Sequence, residues 1–124
     1  MQGLHLTADL RGCDPRQPLM TDPVALREAC TQAVAAAGLG AVAELFHRFT
    51  PAVEGEASGI TGVVLLAESH LAIHTWPELD GVTLDVYVCN YGADNSDKAR
   101  RLMDALVTAF APAEVLHQAL HRGA

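Results

Sequence analysis

The residues best suited to chemistry are concentrated in one short segment near the middle of the chain. It contains a carboxylate, a hydroxyl, two imidazoles and an indole: Glu68, Ser69, His70, His74 and Trp76. A serine hydroxyl becomes a nucleophile when a base or an oxyanion donor lies close to it, and the two histidines are the candidate bases. If the segment is extended, the alternation of side chains places His70, His74 and Trp76 on one face. This segment is therefore the first candidate for a reactive site.

Strands are predicted on both sides of this segment. A continuous apolar run at 63–67 leads into it and predicts a buried strand over 60–67, while Pro77 ends the extended segment. Alternation of side chains predicts strands at 4–10, 41–50 and 82–89, and a last strand is predicted at 113–120, after Pro112. Loops are predicted at 12–20 and 51–59, where prolines and glycines are frequent.

Two helices are predicted between these strands. Asp22 caps the first helix and Pro23 occupies its first position, where a missing N–H costs nothing. Cys30 lies on the apolar face of this helix and is predicted to pack in the core. Asn95 or Ser96 is predicted to cap the second helix, which carries apolar residues at spacings of three and four: Ala99, Leu102, Met103, Leu106, Val107 and Phe110.

The order of elements predicts the fold class. Strand-helix-strand-strand is followed by strand-strand-helix-strand, which indicates two similar β-α-β-type halves without a sequence repeat. We expect an α+β protein, a two-layer sandwich in which an antiparallel sheet carries its helices on one face, formed by a single domain over 1–124. A sheet covered on one face only must bury or pair the other face, so a homodimer is expected.

Composition excludes several classes of function. The formal net charge is −7 and the only basic cluster is Arg100-Arg101, which argues against nucleic acid as a partner. No apolar run reaches the ~20 residues of a membrane span, and no secretory signal is recognisable, so a cytoplasmic protein without a membrane partner is expected. Cys13, Cys30 and Cys89 form no Cys-x-x-Cys pair, and neither a disulfide framework nor a metal site is predicted.

The segment Glu68–Glu78, Glu-Ser-His-Leu-Ala-Ile-His-Thr-Trp-Pro-Glu, resembles the self-processing site of the prokaryotic S-adenosylmethionine decarboxylases. Four further blocks resemble the family and follow its order along the chain: Gly3–Leu6, Phe46–Phe49, Thr61–Val64 and Asp85–Cys89. A resemblance carried by eleven consecutive residues is much more specific than a short glycine or cysteine pattern.

The resemblance implies a proenzyme that makes its own pyruvoyl cofactor from Ser69. The Ser69 hydroxyl attacks the carbonyl of Glu68, and elimination of the resulting ester divides the protein into chains 1–68 and 69–124. The pyruvoyl ketone would then form a Schiff base with the substrate amine and act as an electron sink for decarboxylation. The implied product, decarboxylated S-adenosylmethionine, supplies spermidine biosynthesis.

Roles for other residues also follow from the resemblance. His74 is expected to accept a proton during processing, Thr61 to support processing through its hydroxyl, and Cys89 to donate a proton during decarboxylation. Phe49 is expected to stack on adenine, Glu78 to bind the ribose hydroxyls, and Trp76 to contact the sulfonium. His5 matches a position of the family without an assigned role.

Three alternatives remain open at the level of sequence. The same pyruvoyl chemistry would serve arginine or ornithine, because it requires only an amine beside a carboxylate, and the loop at 52–59 borders the expected adenine site. A metal-binding module would use four candidate ligands: His47, His70, His74 and Cys89. An uncleaved relative that regulates an active partner is the third.

Overall fold

The computed structural model describes residues 1–123, which form six strands, three helices and one 3₁₀ turn. The strands are β1 (Gln2–Arg11), β2 (Ala41–Arg48), β3 (Ile60–Leu66), β4 (Ser69–Trp76), β5 (Gly81–Cys89) and β6 (Glu114–Gly123). The helices are α1 (Pro18–Thr21), α2 (Pro23–Ala36) and α3 (Ser96–Phe110), and the 3₁₀ turn is Pro77–Leu79. All strand pairs are antiparallel, in the order β2-β3-β4-β5-β1-β6. The predicted α+β class and the order of elements are confirmed.

Both long helices cover the same face of the sheet because each has an apolar stripe. The Asp22 carboxylate accepts hydrogen bonds from the backbone N–H of Val24 at 2.9 Å and of Ala25 at 3.4 Å, which confirms the predicted cap of α2. Cys30, on the inner face of α2, is fully buried in the core, as predicted. Burial, with a smaller contribution from the negative charge of Glu44, raises the pKa of the Cys30 thiol to about 12, so this cysteine is unreactive at neutral pH.

Two predicted boundaries are wrong for local reasons. The loop predicted over 12–20 contains the beginning of α1, whose turn is closed by the Asp22 N–H bonding to the Pro18 carbonyl at 2.8 Å. Met20 is buried there, and its carbonyl accepts a hydrogen bond from the Thr75 hydroxyl at 2.8 Å. The last strand continues to Gly123 rather than ending at 120, because β6 pairs with β1 along its whole length.

Glycine at position 62 allows the edge strand β2 to close the core. Phe46 and Gly62 are paired across β2 and β3, and both face the helices. A Cβ atom at position 62 would overlap the Phe46 ring, which lies directly over the glycine. The missing side chain thus provides the space for an aromatic residue at this end of the core.

The strand register arranges the uncovered face of the sheet in three rows that matter for the site. The row nearest the β3–β4 turn contains Leu65, His70, Tyr87, His5 and Leu120. The middle row contains Leu45, Val63, Ala72, Asp85, Thr7 and Gln118. The row at the opposite end contains His47, Thr61, His74, Thr83, Asp9 and Leu116. His70, His74 and Trp76 share this face, as the alternation predicts.

The helices of residues 1–123 are too short or too polar to cross a bilayer. The cytoplasmic location stays a prediction.

Candidate active site

The Glu68–Ser69 peptide bond lies at the tip of a tight hairpin. Leu66 pairs with Ser69 across β3 and β4, so Ala67 and Glu68 form the entire loop. Glu68 has a φ of 55°, in the left-handed region that residues other than glycine rarely occupy. The predicted cleavage point therefore follows a residue in an unfavourable backbone conformation.

Cys89 lies directly beside this turn, although it is twenty residues further along the chain. Its backbone N–H donates a hydrogen bond to the Ser69 hydroxyl oxygen at 3.0 Å, and its thiol lies 3.9 Å from the Glu68 carboxylate. A donor aimed at the hydroxyl oxygen stabilises negative charge that develops there when the hydroxyl loses its proton. The structure thus brings together the predicted nucleophile and the predicted proton donor.

Two asparagines that sequence reasoning did not assign to the site hold Cys89 in place. The Asn95 side chain donates to the Cys89 carbonyl at 2.9 Å, and the Asn95 N–H donates to the Asn90 side chain at 2.8 Å. The Asn90 N–H donates to the Gln2 carbonyl at 2.7 Å. Asn95 was predicted only as a possible helix cap, and its side chain makes no capping bond. The polar residues that follow Cys89 predict a turn, and this turn is the feature of the sequence that could have indicated the two asparagines.

An open groove on the uncovered face begins beside Ser69. It has a volume of about 660 Å³ and is lined by Val63, Leu65, His70, Tyr87 and Arg122 as well as by the turn itself. The Arg122 guanidinium lies over the Tyr87 ring, 5.2 Å from its centre. Ser69 is half-buried, so a small molecule in this groove has access to it.

His70 belongs to an aromatic cluster next to the groove. Its ring lies 5.7 Å from that of Tyr87 and 6.4 Å from that of His5. Burial lowers the pKa of His70, and the charge of His5 lowers it further. His5 Nε2 lies 3.3 Å from Asp85 Oδ1 but is not aligned for a hydrogen bond. This cluster favours a neutral His70.

The other predicted processing residues meet at the far end of β4. The Thr61 hydroxyl and His74 Nδ1 are 3.0 Å apart, within hydrogen-bond distance, on the paired strands β3 and β4. The Trp76 ring centre lies 6.4 Å from that of His74.

A cleft of about 340 Å³ opens beside this pair and collects the predicted binding residues. Phe49, Trp76 and Glu78 all line it, together with Thr61 and His74. The loop after Phe49 forms another wall and contributes a second carboxylate, Glu56, which sequence reasoning did not single out. Two carboxylates and two aromatic rings suit a cationic ligand with a planar group.

The two groups of residues are separated by most of a strand. Ser69 and His74 are five positions apart on β4, which corresponds to about 17 Å at the rise of an extended chain. No rotation of side chains closes such a gap. Within one chain, His74 and Thr61 therefore do not contact the Ser69 turn.

Among residues 1–123, no group of three or more histidine, cysteine or acidic side chains is arranged to hold a metal ion. The separation of Cys89 from the His74 end of β4 gives the physical reason. The metal-module alternative has no support in this geometry.

The fold and the site together define a two-layer α+β protein with a serine in a strained hairpin turn and an aromatic, acidic cleft. The S-adenosylmethionine decarboxylase family matches residues 4–123. Two S-adenosylmethionine decarboxylase proenzymes are similar to the chain over 121 residues, that of Aquifex aeolicus at 40% identity and that of a Hydrogenobaculum species at 37%. Each match covers 98% of this chain and 81% of the relative. The chain belongs to the S-adenosylmethionine decarboxylase family.

One solved structure agrees with this assignment, and a second has the same fold. The crystal structure of the Aquifex aeolicus adenosylmethionine decarboxylase matches with a TM-score of 0.84 at 38% identity, over 98% of this chain and 91% of that one. A Trypanosoma brucei AdoMetDC monomer matches with a TM-score of 0.56 at 15% identity, over 92% of this chain and 44% of that one. The second match shows the fold alone.

Proposed function

We propose that this chain is a self-processing, pyruvoyl-dependent decarboxylase of S-adenosylmethionine that cleaves itself between Glu68 and Ser69. One observation carries the proposal. The Ser69 hydroxyl accepts a hydrogen bond from the Cys89 N–H at 3.0 Å, and the residue just before Ser69, Glu68, has a left-handed backbone conformation. Membership of the family supports the substrate, and with it a supply of aminopropyl donor for spermidine synthesis.

Processing would begin with the Ser69 oxygen. It attacks the Glu68 carbonyl carbon, the C–N bond breaks, and the hydroxyl proton passes to the released amine, which leaves an ester. β-Elimination then removes the α-proton of residue 69 to a base and breaks its Cβ–O bond, which releases the new main-chain carboxylate of Glu68 and leaves dehydroalanine. One water converts the dehydroalanine into a pyruvoyl group and ammonia. The products are chains 1–68 and 69–124, the second without a free amino terminus.

The surroundings of Ser69 fit a pyruvoyl group. Ser69 is part of the lining of an open groove, so a substrate amine has access to it, and the Cys89 N–H already donates to this side chain. The group supplies a ketone that holds the substrate amine and withdraws the electron pair left by carbon dioxide. The Cys89 thiol, held beside position 69, would give the proton that replaces the carboxylate on the substrate α-carbon.

The cleft at the other end of β4 would bind the rest of the substrate. Phe49, half exposed, offers a ring face for adenine, and Glu78 offers a carboxylate to the ribose hydroxyls. Trp76 and Glu56 would surround the sulfonium, since aromatic faces and carboxylates both attract a cation. The cleft and the Ser69 turn can serve one substrate only if something closes the distance between them.

A second copy of this chain closes that distance. The uncovered face carries large apolar side chains that are widely exposed, such as Leu45 at 69%, Leu120 at 59% and Leu65 at 47%. Sheets that stack face to face lie about 10 Å apart. In a homodimer with its twofold axis near Ala72, the middle of β4, the Ser69 end of one protomer faces the His74 end of its partner. The small side chain of Ala72 permits close approach there.

Intact mass and a denaturing gel test the proposal, with Ser69→Ala as control. We expect the wild-type chain to give two fragments of the sizes of 1–68 and 69–124, and the variant to remain whole. Purified wild-type protein should release carbon dioxide from S-adenosylmethionine and not from arginine or ornithine. Cleavage of the Ser69→Ala chain would refute the mechanism, and turnover of arginine or ornithine alone would refute the substrate.

A further inference from the structure

Three residues other than glycine adopt a left-handed conformation within the described chain: Glu68, Asp80 and Ala111. Two of them close ordinary turns. The Ala111 N–H bonds to the carbonyls of Val107 and Thr108 and ends α3. The Asp80 carbonyl accepts a hydrogen bond from the Cys13 N–H at 2.8 Å. Their backbone strain is offset by hydrogen bonds that fix the fold.

Glu68 differs from both because it precedes the bond that is proposed to break. A two-residue hairpin favours a turn with both residues at positive φ, usually Asn-Gly. Here only the second loop residue has positive φ, and it is a glutamate. A residue other than glycine therefore holds the position of positive φ, where glycine would carry no steric penalty.

We propose that the left-handed conformation of Glu68 stores strain that accelerates cleavage of the Glu68–Ser69 bond. The inference rests on the proposed function. When the Glu68 carbonyl carbon passes from the Ser69 nitrogen to the Ser69 oxygen, the amide that ties residue 68 into the hairpin is lost. Residue 68 can then return to negative φ. The penalty for a residue other than glycine in this region is equivalent to a factor of about 5–30 in an equilibrium constant.

The side chain of Glu68 has to be separated from its backbone, because its carboxylate also contacts the Cys89 thiol. Glu68→Ala and Glu68→Gly both remove the carboxylate, and only the alanine variant keeps the strain. The measurement is the cleavage rate during cell-free synthesis with labelled methionine, which marks both fragments through Met20 and Met103. We expect Glu68→Gly to cleave about fivefold more slowly than Glu68→Ala, the lower end of the strain penalty.

Two further variants separate strain from chain flexibility. Ala111→Gly makes the same change at a left-handed position far from the turn, and its cleavage rate should equal that of the wild type. Glu68→Asn keeps a side chain but tolerates the left-handed region, so it should cleave as slowly as Glu68→Gly.

Each contrary result has a distinct meaning. Equal rates for Glu68→Gly and Glu68→Ala, in a protein whose wild type is cleaved, would overturn the strain inference and leave the proposed function standing. Slow cleavage of Glu68→Gly with fast cleavage of Glu68→Asn would assign the effect to flexibility and overturn it as well. Absence of cleavage in the wild type would overturn both the inference and the proposed function.

Discussion

The two ends of β4 differ in what they provide for catalysis. At the Ser69 end the side chains are fixed by backbone hydrogen bonds in a tight turn, next to Cys89. At the His74 end a wide cleft is lined by aromatic and acidic side chains. We propose that the first end breaks and protonates bonds and that the second holds a cationic ligand, and about 17 Å separates them. On this proposal neither end is a complete site in a single chain, and a partner chain has to supply the other end.

The largest effect is expected when two inactive chains are mixed. Ser69→Ala and His74→Ala should each remain uncleaved alone, because one lacks the proposed nucleophile and the other the proposed processing base. When the two are co-expressed with different tags, a mixed dimer pairs an intact Ser69 with an intact His74 from the partner. We expect cleavage of the His74→Ala chain only, in about half of its copies if the chains assort at random.

The tag on each fragment identifies the variant chain that was cleaved, and this identification tests the prediction. Cleavage that is absent from the mixture would show that His74 does not act across the interface. Efficient cleavage of His74→Ala alone would remove His74 from processing and direct attention to His70, the histidine next to the groove.

The second effect separates cleavage from turnover at the Ser69 end. Cys89→Ser retains the backbone N–H that bonds to the Ser69 hydroxyl, so cleavage should proceed. A hydroxyl is a far weaker acid than a thiol, and general-acid help is typically worth about 10²–10⁴-fold, so decarboxylation should fall by about that factor. Turnover of S-adenosylmethionine is measured on protein shown by mass to be fully cleaved. Wild-type turnover in that sample would assign the proton to another group.

The third effect concerns the cleft end. Stacking of a base on an aromatic ring is worth about 1–3 kcal/mol, so Phe49→Leu should raise KM for S-adenosylmethionine about tenfold and change kcat little. Phe46→Leu is the matched control, since Phe46 packs on Gly62 on the helix side of β2, the strand that ends just before Phe49. That variant should lower the stability and leave KM unchanged. An unchanged KM for Phe49→Leu would move the adenine site away from the cleft.

Much of this comparison was accessible from the sequence because periodicity is a local property. The alternation in β4 placed His70, His74 and Trp76 on one face, and Asp22 with Pro23 marked the start of α2. The family resemblance supplied the chemistry of Ser69 and Cys89, whose contact depends on the pairing of β4 with β5. Side-chain periodicity and residue type can both be read directly from the sequence.

What the sequence did not indicate depends on three-dimensional context. Ser69 and His74 are near in sequence, which suggested a nucleophile with its base, yet an extended chain separates them. The left-handed conformation of Glu68 follows from the two-residue loop, a feature of strand register rather than of residue type. Asn95 was expected to cap α3, and its side chain instead holds the Cys89 carbonyl because β5 ends against that turn.

The smallest expected effect is on the pH dependence of folding stability, through the protonation of His70. His70 faces His5, Asp85, Tyr87 and Arg122, and its pKa is lowered, first by burial and then by the charge of His5. A histidine whose pKa is lower in the folded chain than in the unfolded chain favours folding while it is neutral. Its contribution is therefore present above about pH 6.5, the unfolded value, and is lost as the pH falls through that value towards the folded pKa.

We expect Ser69→Ala protein, which stays in one piece, to lose more unfolding free energy between pH 7.5 and pH 5.5 than the double variant Ser69→Ala, His70→Gln. The measurement is urea denaturation at a single protein concentration, since a dimer makes stability depend on concentration. A second double variant, Ser69→Ala with His117→Gln, serves as control, because His117 is exposed on the other face of β6 and should leave the parent's pH dependence in place. If the His70→Gln protein loses as much stability as its parent, protonation of His70 does not disfavour the folded state and the prediction is wrong.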